Sequence, residues 1–269
     1  MMGSRADFAD ALHAAGQCEA AARGFADAER RQKERQPEYP LLYAMQGYWY
    51  CDLLLAKGDY AAARDRAAKT SAIARHNNWL LAIALDTLTV ARADLGLALA
   101  AVGACQMSAA VGDNARAAHS RLNEAVDGLR ASGQGDDLPR GLLARSTFRR
   151  SIGGWDGAAR DLDEVEEIAE PGPMQLYLCD TALGRARMAF ARIEAFAPLN
   201  GMLEKDNPPK PTVPSAEQIA ELKREAEKRL KIATGYIETC GYHRRDEELA
   251  ELQAVLRGEK KFADLPPRV

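Results

Sequence analysis

β-branched residues are scarce in this sequence of 269 residues. Valine, isoleucine and threonine occur 8 times each, whereas alanine occurs 51 times. Alanine is the best helix former and β-branched side chains favour strands, so this composition argues against a protein built on sheets. We therefore expect an all-helical (all-α) fold.

Long apolar runs and an excess of positive charge are also missing. The longest apolar stretch, near residues 95–105, is shorter than the ~20 residues that cross a bilayer. The formal net charge is -3, so the sequence lacks the surplus of lysine and arginine that usually accompanies nucleic-acid binding. We therefore expect no membrane-spanning segment and no nucleic acid as the main partner.

The patterns of common metal and catalytic sites do not occur. The 4 histidines lack metal-binding spacing, the 5 cysteines contain no C-x-x-C pair, and there is no G-x-S-x-G motif. The cysteines are predicted to be buried and reduced. We expect no metal, no cofactor and no catalytic residue, and therefore a protein that is not an enzyme.

Two histidines allow a different interpretation. His13 lies one turn after Asp10 and could form an acid–base pair with it, but such pairs are common on solvated helix surfaces, and we favour that interpretation. His243 is predicted to lie in a turn at a helix end. Neither pattern is specific enough to indicate catalysis.

A short pattern recurs along the chain. A glycine is followed two residues later by a bulky or polar side chain and five residues later by alanine, starting at Gly16, Gly58, Gly112 and Gly153. Glycine can end one helix in a left-handed turn, and the small alanine lets the next helix pack closely. Each copy therefore predicts a helical hairpin that turns at its glycine.

These hairpins resemble the tetratricopeptide repeat. The marker glycines are 42, 54 and 41 residues apart, whereas the usual repeat is about 34 residues long, so longer helices are expected. The sequences LPRGLLAR at 138–145, ARDLDE at 159–164 and GYHRRDEEL at 241–249 are similar to the long-helix arms of bacterial signal-transducing NTPases and of activators related to the maltose regulator. The NTPase motif G-x-x-x-x-G-K-[ST] is not found in this sequence.

The resemblance implies one domain, residues 1–257, folded as a right-handed solenoid of about five hairpins. The predicted elements are hairpins at residues 4–36, 38–76, 78–132, 138–170 and 173–240, a capping helix at 245–257 and a tail at 258–269. Prolines cluster at 197–214, so an exposed, extended loop is expected there. Ser215 and Gln218 predict a capping box at the start of the helix that follows, which should end at Gly241.

The resemblance also implies a concave face that is lined by the first helix of each hairpin and accepts a peptide or a partner protein. Aligning the chain with the repeat assigns these candidate contact residues to that face: Tyr48, Asp52, Arg140, Leu143, Thr147, Arg150, Asp180 and Arg187. Aromatic and arginine side chains are enriched at binding hot spots. The alternative is structural: Tyr48 belongs to the core, and the arginines pair with acids of neighbouring hairpins.

The predicted function is a non-catalytic scaffold that binds a protein or peptide in bacterial signalling or regulation. Arg5 and Asp7 interrupt the first ten residues, which therefore do not look like a secretory signal, and the cytoplasm is the expected location. Two alternatives stay open: a module that senses a small molecule, and a homodimeric assembly element. The dimer would use the proline-rich loop or the apolar segment at 79–81.

Overall fold

The protein is all-helical in a computed structural model that describes residues 3–203 and 207–269, and no strand occurs in this part of the chain. This confirms the predicted fold class. The α-helices are α1 Gly3–Ala14, α2 Cys18–Arg35, α3 Ala44–Ala56, α4 Tyr60–His76, α5 Leu80–Gly103, α6 Ala109–Ala131, α7 Leu138–Ile152, α8 Trp155–Ala169, α9 Gln175–Ile193, α10 Ala216–Cys240 and α11 Asp246–Leu256. Single 3-10 turns lie at Gly135–Asp137, His243–Arg245 and Phe262–Asp264.

Each helix packs mainly against its neighbours in the chain. The odd-numbered helices also contact one another in series, α1 with α3, α3 with α5, α5 with α7 and α7 with α9. Helix α11 packs on α9 and α10, and the turn at 243–245 contacts α1. The first hairpin therefore meets the last part of the chain. The odd-numbered helices share one side of the protein, which we call the inner side.

Glycines end several helices in the predicted way. Gly16, Gly58, Gly153 and Gly241 follow α1, α3, α7 and α10, and all four have a positive φ in the left-handed region. At Gly241 the helix ends where the sequence predicts. The capping box at the start of α10 is also present, since Gln218 N donates to Ser215 Oγ and Ser215 N donates to Gln218 Oε1.

Gly112 is an exception. It lies within α6, and the chain between α5 and α6 turns instead at residues 104–108, where Cys105 has a φ of 55°. The prediction of a turn at Gly112 is wrong because glycine and alanine at this spacing also suit a helix interior that packs against a close neighbour. Gly112 is buried within α6.

Small residues bring neighbouring helices close together. A Cβ atom added at Gly24 of α2 would lie 2.9 Å from the Cβ of Ala9 in α1, and one added at Gly96 of α5 would overlap the ring of Tyr60. Gly128 of α6 likewise faces Ala84 of α5. These contacts leave no room for a side chain, so the alanine-rich composition acts through close helix packing as well as through helix propensity.

The proline-rich loop is non-helical in its described part, as predicted, but it is not fully exposed. Leu199 and Leu203 are buried in the core, and Asn200 Nδ2 donates to the carbonyl of Ile152 at the end of α7. Pro211 packs against Gly153. The loop covers the end of α7, and residues 204–206 lie outside the described part.

Among the residues that the structure describes, only a few large apolar side chains face solvent. Trp79 and Leu80 are exposed at the start of α5, whereas Leu81 packs against the core, so the apolar segment at 79–81 is divided between surface and interior. Among the described helices, none is both long and apolar enough to span a membrane. The large apolar content of α5 is used mainly inside the protein.

The cysteines are free and differ in exposure. Cys51 and Cys179 are buried, as expected of small apolar side chains. Cys105 is exposed because it lies in the turn between α5 and α6, so the prediction that all the cysteines are buried is wrong. Cys18 and Cys240 are partly buried.

A buried polar contact joins α4 to α5. The hydroxyl of Thr70 donates to Asp86 Oδ1 at 2.8 Å, and Asp86 Oδ2 is buried without a hydrogen-bond partner in the described part of the chain. Burial raises the pKa of Asp86 to about 7, and the opposing effects of Thr70 and Arg66 are smaller. This carboxyl group therefore titrates near neutral pH.

We expect Asp86→Asn to remove part of the pH dependence of stability. The folded-state pKa of Asp86 is above its ordinary value of 3.8. The folded state therefore binds the carboxyl proton more tightly than the unfolded state, and protonation stabilises the fold. Its contribution therefore declines between about pH 4 and pH 7, by at most about 1.4 kcal/mol per pH unit, and changes little above pH 7. Asparagine cannot lose a proton, so the variant should show a smaller decline.

Urea unfolding at a series of pH values between about 4 and 8 measures this difference. Asp65→Asn is the matched control, because the side chain of Asp65 is 68% exposed on the same helix pair. An Asp86→Asn variant whose free energy of unfolding falls with pH as steeply as that of the original chain would contradict the assignment.

Candidate ligand-binding site

A cavity with about 120 Å³ of open space lies where the odd-numbered helices meet the last part of the chain. Side chains of α3, α5, α7 and α9 form one part of its wall. The turn at 243–245, α11 and residues 268–269 form the other part. This inner cavity therefore collects residues from most of the length of the chain.

All eight residues that the sequence assigned to a concave face line the inner cavity. They are Tyr48, Asp52, Arg140, Leu143, Thr147, Arg150, Asp180 and Arg187. The members on α7 recur at intervals of three and four residues, which places them on one face of that helix. The structure thus brings all eight to one surface.

Asp52 links three parts of the cavity wall. Its Oδ1 lies 2.8 Å from Arg92 Nη2, and its Oδ2 lies 2.6 Å from Arg244 Nη1. Burial acts to raise the pKa of Asp52, but Arg244 and Arg92 outweigh it and hold the pKa well below its usual range. Asp52 is therefore ionised and joins α3 to α5 and to the turn at 243–245.

A second buried network links α9 to the last helix. Arg245 donates to Asp180 Oδ1 at 2.8 Å and lies 3.1 Å from Glu248 Oε2, while Arg187 Nε donates to Glu248 Oε1. Burial opposes ionisation of Glu248, but Arg187 and Arg245 lower its pKa to about 2. The hydroxyl of Tyr242 donates to the other oxygen of Asp180 at 3.1 Å.

Arg140 lies between aromatic rings. Its guanidinium carbon is 5.1 Å from the centre of the Tyr48 ring and 5.6 Å from that of Tyr177, which is within the range of cation–π attraction. Its Nε donates to Asp137 Oδ1 at 2.9 Å, and the hydroxyl of Tyr48 accepts a hydrogen bond from Arg92. Tyr48 is 4% exposed and therefore belongs to both the core and the cavity wall.

Arg150 differs from the other cavity arginines. Within the described part of the chain its guanidinium has no carboxylate partner, and its charge faces the ring of Phe262 at 5.8 Å from the ring centre. Burial, and next the nearby Arg187, lower the pKa of Arg150. Arginine stays protonated at neutral pH, so the cavity holds a positive charge that Glu248 offsets only partly, without a direct ion pair.

Residues 262–269 cross the inner side of the protein beside the cavity, and we call this segment the strap. Glu194 accepts hydrogen bonds from the backbone amides of Phe262 and of the next residue, at 2.6 and 3.0 Å. Arg92 donates to the backbone oxygen of Val269 at 2.8 Å. Phe262 is buried, so the strap is held both through its backbone and through one aromatic side chain.

A second cavity is lined partly by the strap. It has about 230 Å³ of open space and includes apolar wall residues such as Leu99 and Val102 at the end of α5. Arg150, Arg187 and Arg268 line both cavities. These three arginines therefore form a wall that the two cavities share.

Several cavity residues were not found from the sequence. They are Arg92, Tyr177, Arg244, Arg245, Glu248 and Arg268. Three of them belong to the segment GYHRRDEEL, which was assigned to a helix cap alone. Two adjacent arginines and several acids in a capping segment were the available signal, because a cap that only covers apolar surface does not need paired charges.

His13 is buried, so the prediction that it lies on a solvated helix surface is wrong. Its side chain is 1% exposed, and its Nδ1 is 3.8 Å from Asp52 Oδ2 and 3.4 Å from Arg244 Nη1. Burial is the main cause that lowers the pKa of His13 to about 4, so the ring is neutral at neutral pH. Helix α1 packs against the turn at 243–245, a contact that no local pattern reveals. His243 lies in that turn, as predicted.

The cavity side chains are suited to binding. Arginine side chains are protonated at neutral pH. The hydroxyl of Ser146 donates to the carbonyl of Ala158, and that of Thr147 donates to the carbonyl of Leu143. No histidine or cysteine is among the residues that line the cavity. Within residues 3–203 and 207–269, no group of three or more histidine, cysteine or acidic residues is arranged to hold a metal ion.

Comparisons with protein-family models, with curated proteins and with solved structures found no match for this chain. Inferences about function therefore depend on the cavity, the strap and the charged side chains of the cavity wall.

We expect Asp52→Asn to destabilise the fold. The substitution leaves Arg92 and Arg244, whose side chains are 11% and 20% exposed, without their carboxylate. Removing one partner of such a buried pair costs about 3 kcal/mol or more. Urea unfolding of the variant at neutral pH measures the loss.

Asp113→Asn serves as the control, because the Asp113 side chain is 68% exposed and pairs with Arg116 on the same helix. This surface pair should contribute less than about 1 kcal/mol. Equal losses in the two variants would show that the Asp52 network does not hold the cavity wall together.

Proposed function

We propose that this protein is a non-catalytic binding protein, built as a tetratricopeptide-like solenoid that holds a peptide or a segment of a partner protein on its inner side. The pairing of α1–α10 into five consecutive hairpins, followed by α11, supports this architecture. The resemblance of the turn and cap segments supports a role in bacterial signalling or regulation in the cytoplasm.

The strap is the observation that carries the proposal. It is a peptide segment that lies on the inner side, and Glu194 and Arg92 bind its backbone amides and a backbone oxygen. Backbone groups are the same in every sequence, so an external peptide can form the same hydrogen bonds. Phe262 adds a buried aromatic anchor, the kind of side chain that dominates binding energy at interfaces.

One observation favours the alternative of a small-molecule sensor. The inner cavity is rich in arginine and opens beside the strap. Its open space of about 120 Å³ is smaller than the ~300 Å³ of typical small-molecule pockets, however. The contacts that hold the strap bind backbone groups of a peptide segment, so we prefer a peptide as the ligand.

The homodimer alternative depends on a different surface. Trp79 and Leu80 are exposed, and the ring of Trp79 stacks on Tyr43 with their centres 5.5 Å apart. This patch is limited because Leu81 already packs against the core. It does not involve the inner cavity, so a dimer formed there is compatible with peptide binding.

We expect a labelled peptide with the sequence of residues 260–269 to bind the chain that carries Phe262→Ala. The substitution removes the aromatic anchor of the internal strap, whereas the peptide keeps it. Adding Glu194→Gln to this chain should weaken binding about tenfold, since the carboxylate that accepts two backbone amides is lost. Fluorescence anisotropy measures both affinities. Peptide concentrations up to about 1 mM are used because the internal strap competes for the same site at an effective concentration of about that size.

The exposed Glu170→Gln is the matched control and should leave the affinity unchanged. A peptide of the same composition in scrambled order should bind more weakly. Circular dichroism checks that each variant is folded, and Arg268→Gln offers a second way to loosen the strap, because Arg268 pairs with Glu247 and Glu251. Lack of saturable binding to both loosened chains would contradict the proposal.

A further inference from the structure

The inner cavity has an imbalance of charge around Arg150. Six of its arginines each have a carboxylate within 3.2 Å, namely Arg92, Arg140, Arg187, Arg244, Arg245 and Arg268. Arg150 has no such partner in the described part of the chain. Glu248 acts on Arg150 from beyond ion-pair distance, and its effect is smaller than those of burial and of Arg187. An ionised group that is partly buried without a direct ion pair is costly.

Arg187 provides a second, independent observation that indicates a ligand site. Its Nε donates to Glu248, but its Nη2 is buried and has no hydrogen-bond partner among the described residues. The Arg187 side chain is 6% exposed, so solvent reaches little of this group. A buried guanidinium with an unused N–H is suited to donate a hydrogen bond to a ligand oxygen at that point.

These two side chains face the same space. Both line the inner cavity and the second cavity, and both lie near one ring of the strap, since their guanidinium carbons are 5.8 and 6.0 Å from the centre of Phe262. The strap therefore covers a site where Arg150, which forms no ion pair among the described residues, lies near Arg187, whose Nη2 has no hydrogen-bond partner there.

We propose that Arg150 and Arg187 form an anion-binding subsite for the phosphate or carboxylate group of a ligand. The planar guanidinium group presents paired N–H donors that match the oxygens of either group. This inference rests on the proposed function in one respect: a peptide ligand would supply the anion through an acidic group. The same chemistry also admits free phosphate, and the experiments below separate the two sources.

The first experiment uses inorganic phosphate and the full chain. At constant ionic strength, phosphate should raise the melting temperature of the unaltered protein, and Arg150→Met should weaken phosphate binding about tenfold or more, as measured by calorimetric titration. Without phosphate, Arg150→Met should melt no lower than the original chain, because an unpaired charge has been removed. Arg116→Gln, at a largely exposed surface pair, should keep the response to phosphate.

The second experiment places a carboxylate in the subsite through the strap itself. Phe262→Glu and Phe262→Gln lose the same aromatic contacts but differ in charge, so Phe262→Glu should be the more stable of the two in urea unfolding. The difference should disappear when each is combined with Arg150→Met. If neither variant folds, the same pair of residues is compared within the labelled peptide that carries residues 260–269.

The outcomes separate this inference from the proposed function. A response to phosphate alone assigns the subsite to free phosphate or a phosphate group, and a preference for glutamate alone assigns it to an acidic side chain. Either result supports the subsite even if the unaltered peptide fails to bind. Equal phosphate binding by the original chain and Arg150→Met, together with no advantage of glutamate over glutamine, would overturn it.

Discussion

The carboxylate of Asp52 is the group on which the arrangement around the cavity depends. It neutralises Arg92 from α5 and Arg244 from the turn at 243–245, two arginines that are distant in sequence and largely removed from solvent. Without a shared anion their charges would repel each other across the cavity. One side chain of α3 thus allows the middle of the protein and its last part to form a common wall.

The same inner side combines two kinds of recognition. Glu194 and Arg92 bind backbone groups of the strap, which any extended segment provides, while the arginines beneath Phe262 offer positive charge, which only some ligands can use. Backbone contacts supply affinity without selectivity, and charged contacts supply selectivity. A site that contains both can accept a peptide and still discriminate among peptides.

Helix periodicity made much of the fold and the site predictable. The capping box at Ser215 and the turns at Gly58 and Gly153 follow from local spacing, because neighbouring residues alone determine them. The inward face of α7 was assigned by aligning the chain with the repeat that it resembles. Gly112 shows the limit of such a pattern, since the same residues fit a helix interior.

The burial of His13 and the inward position of Arg244 depend on a contact between α1 and the turn at 243–245. The buried part of the proline-rich loop likewise depends on the end of α7. Tertiary contacts of this kind leave no mark on local periodicity.

The direct contact between the first hairpin and the last part of the chain also affects how the protein unfolds. Linear arrays of helical hairpins can fray from either end, because an end unit has only one neighbour. Here the outer units support each other, so the energetic cost of opening is spread over the whole chain, and unfolding should proceed as one cooperative event.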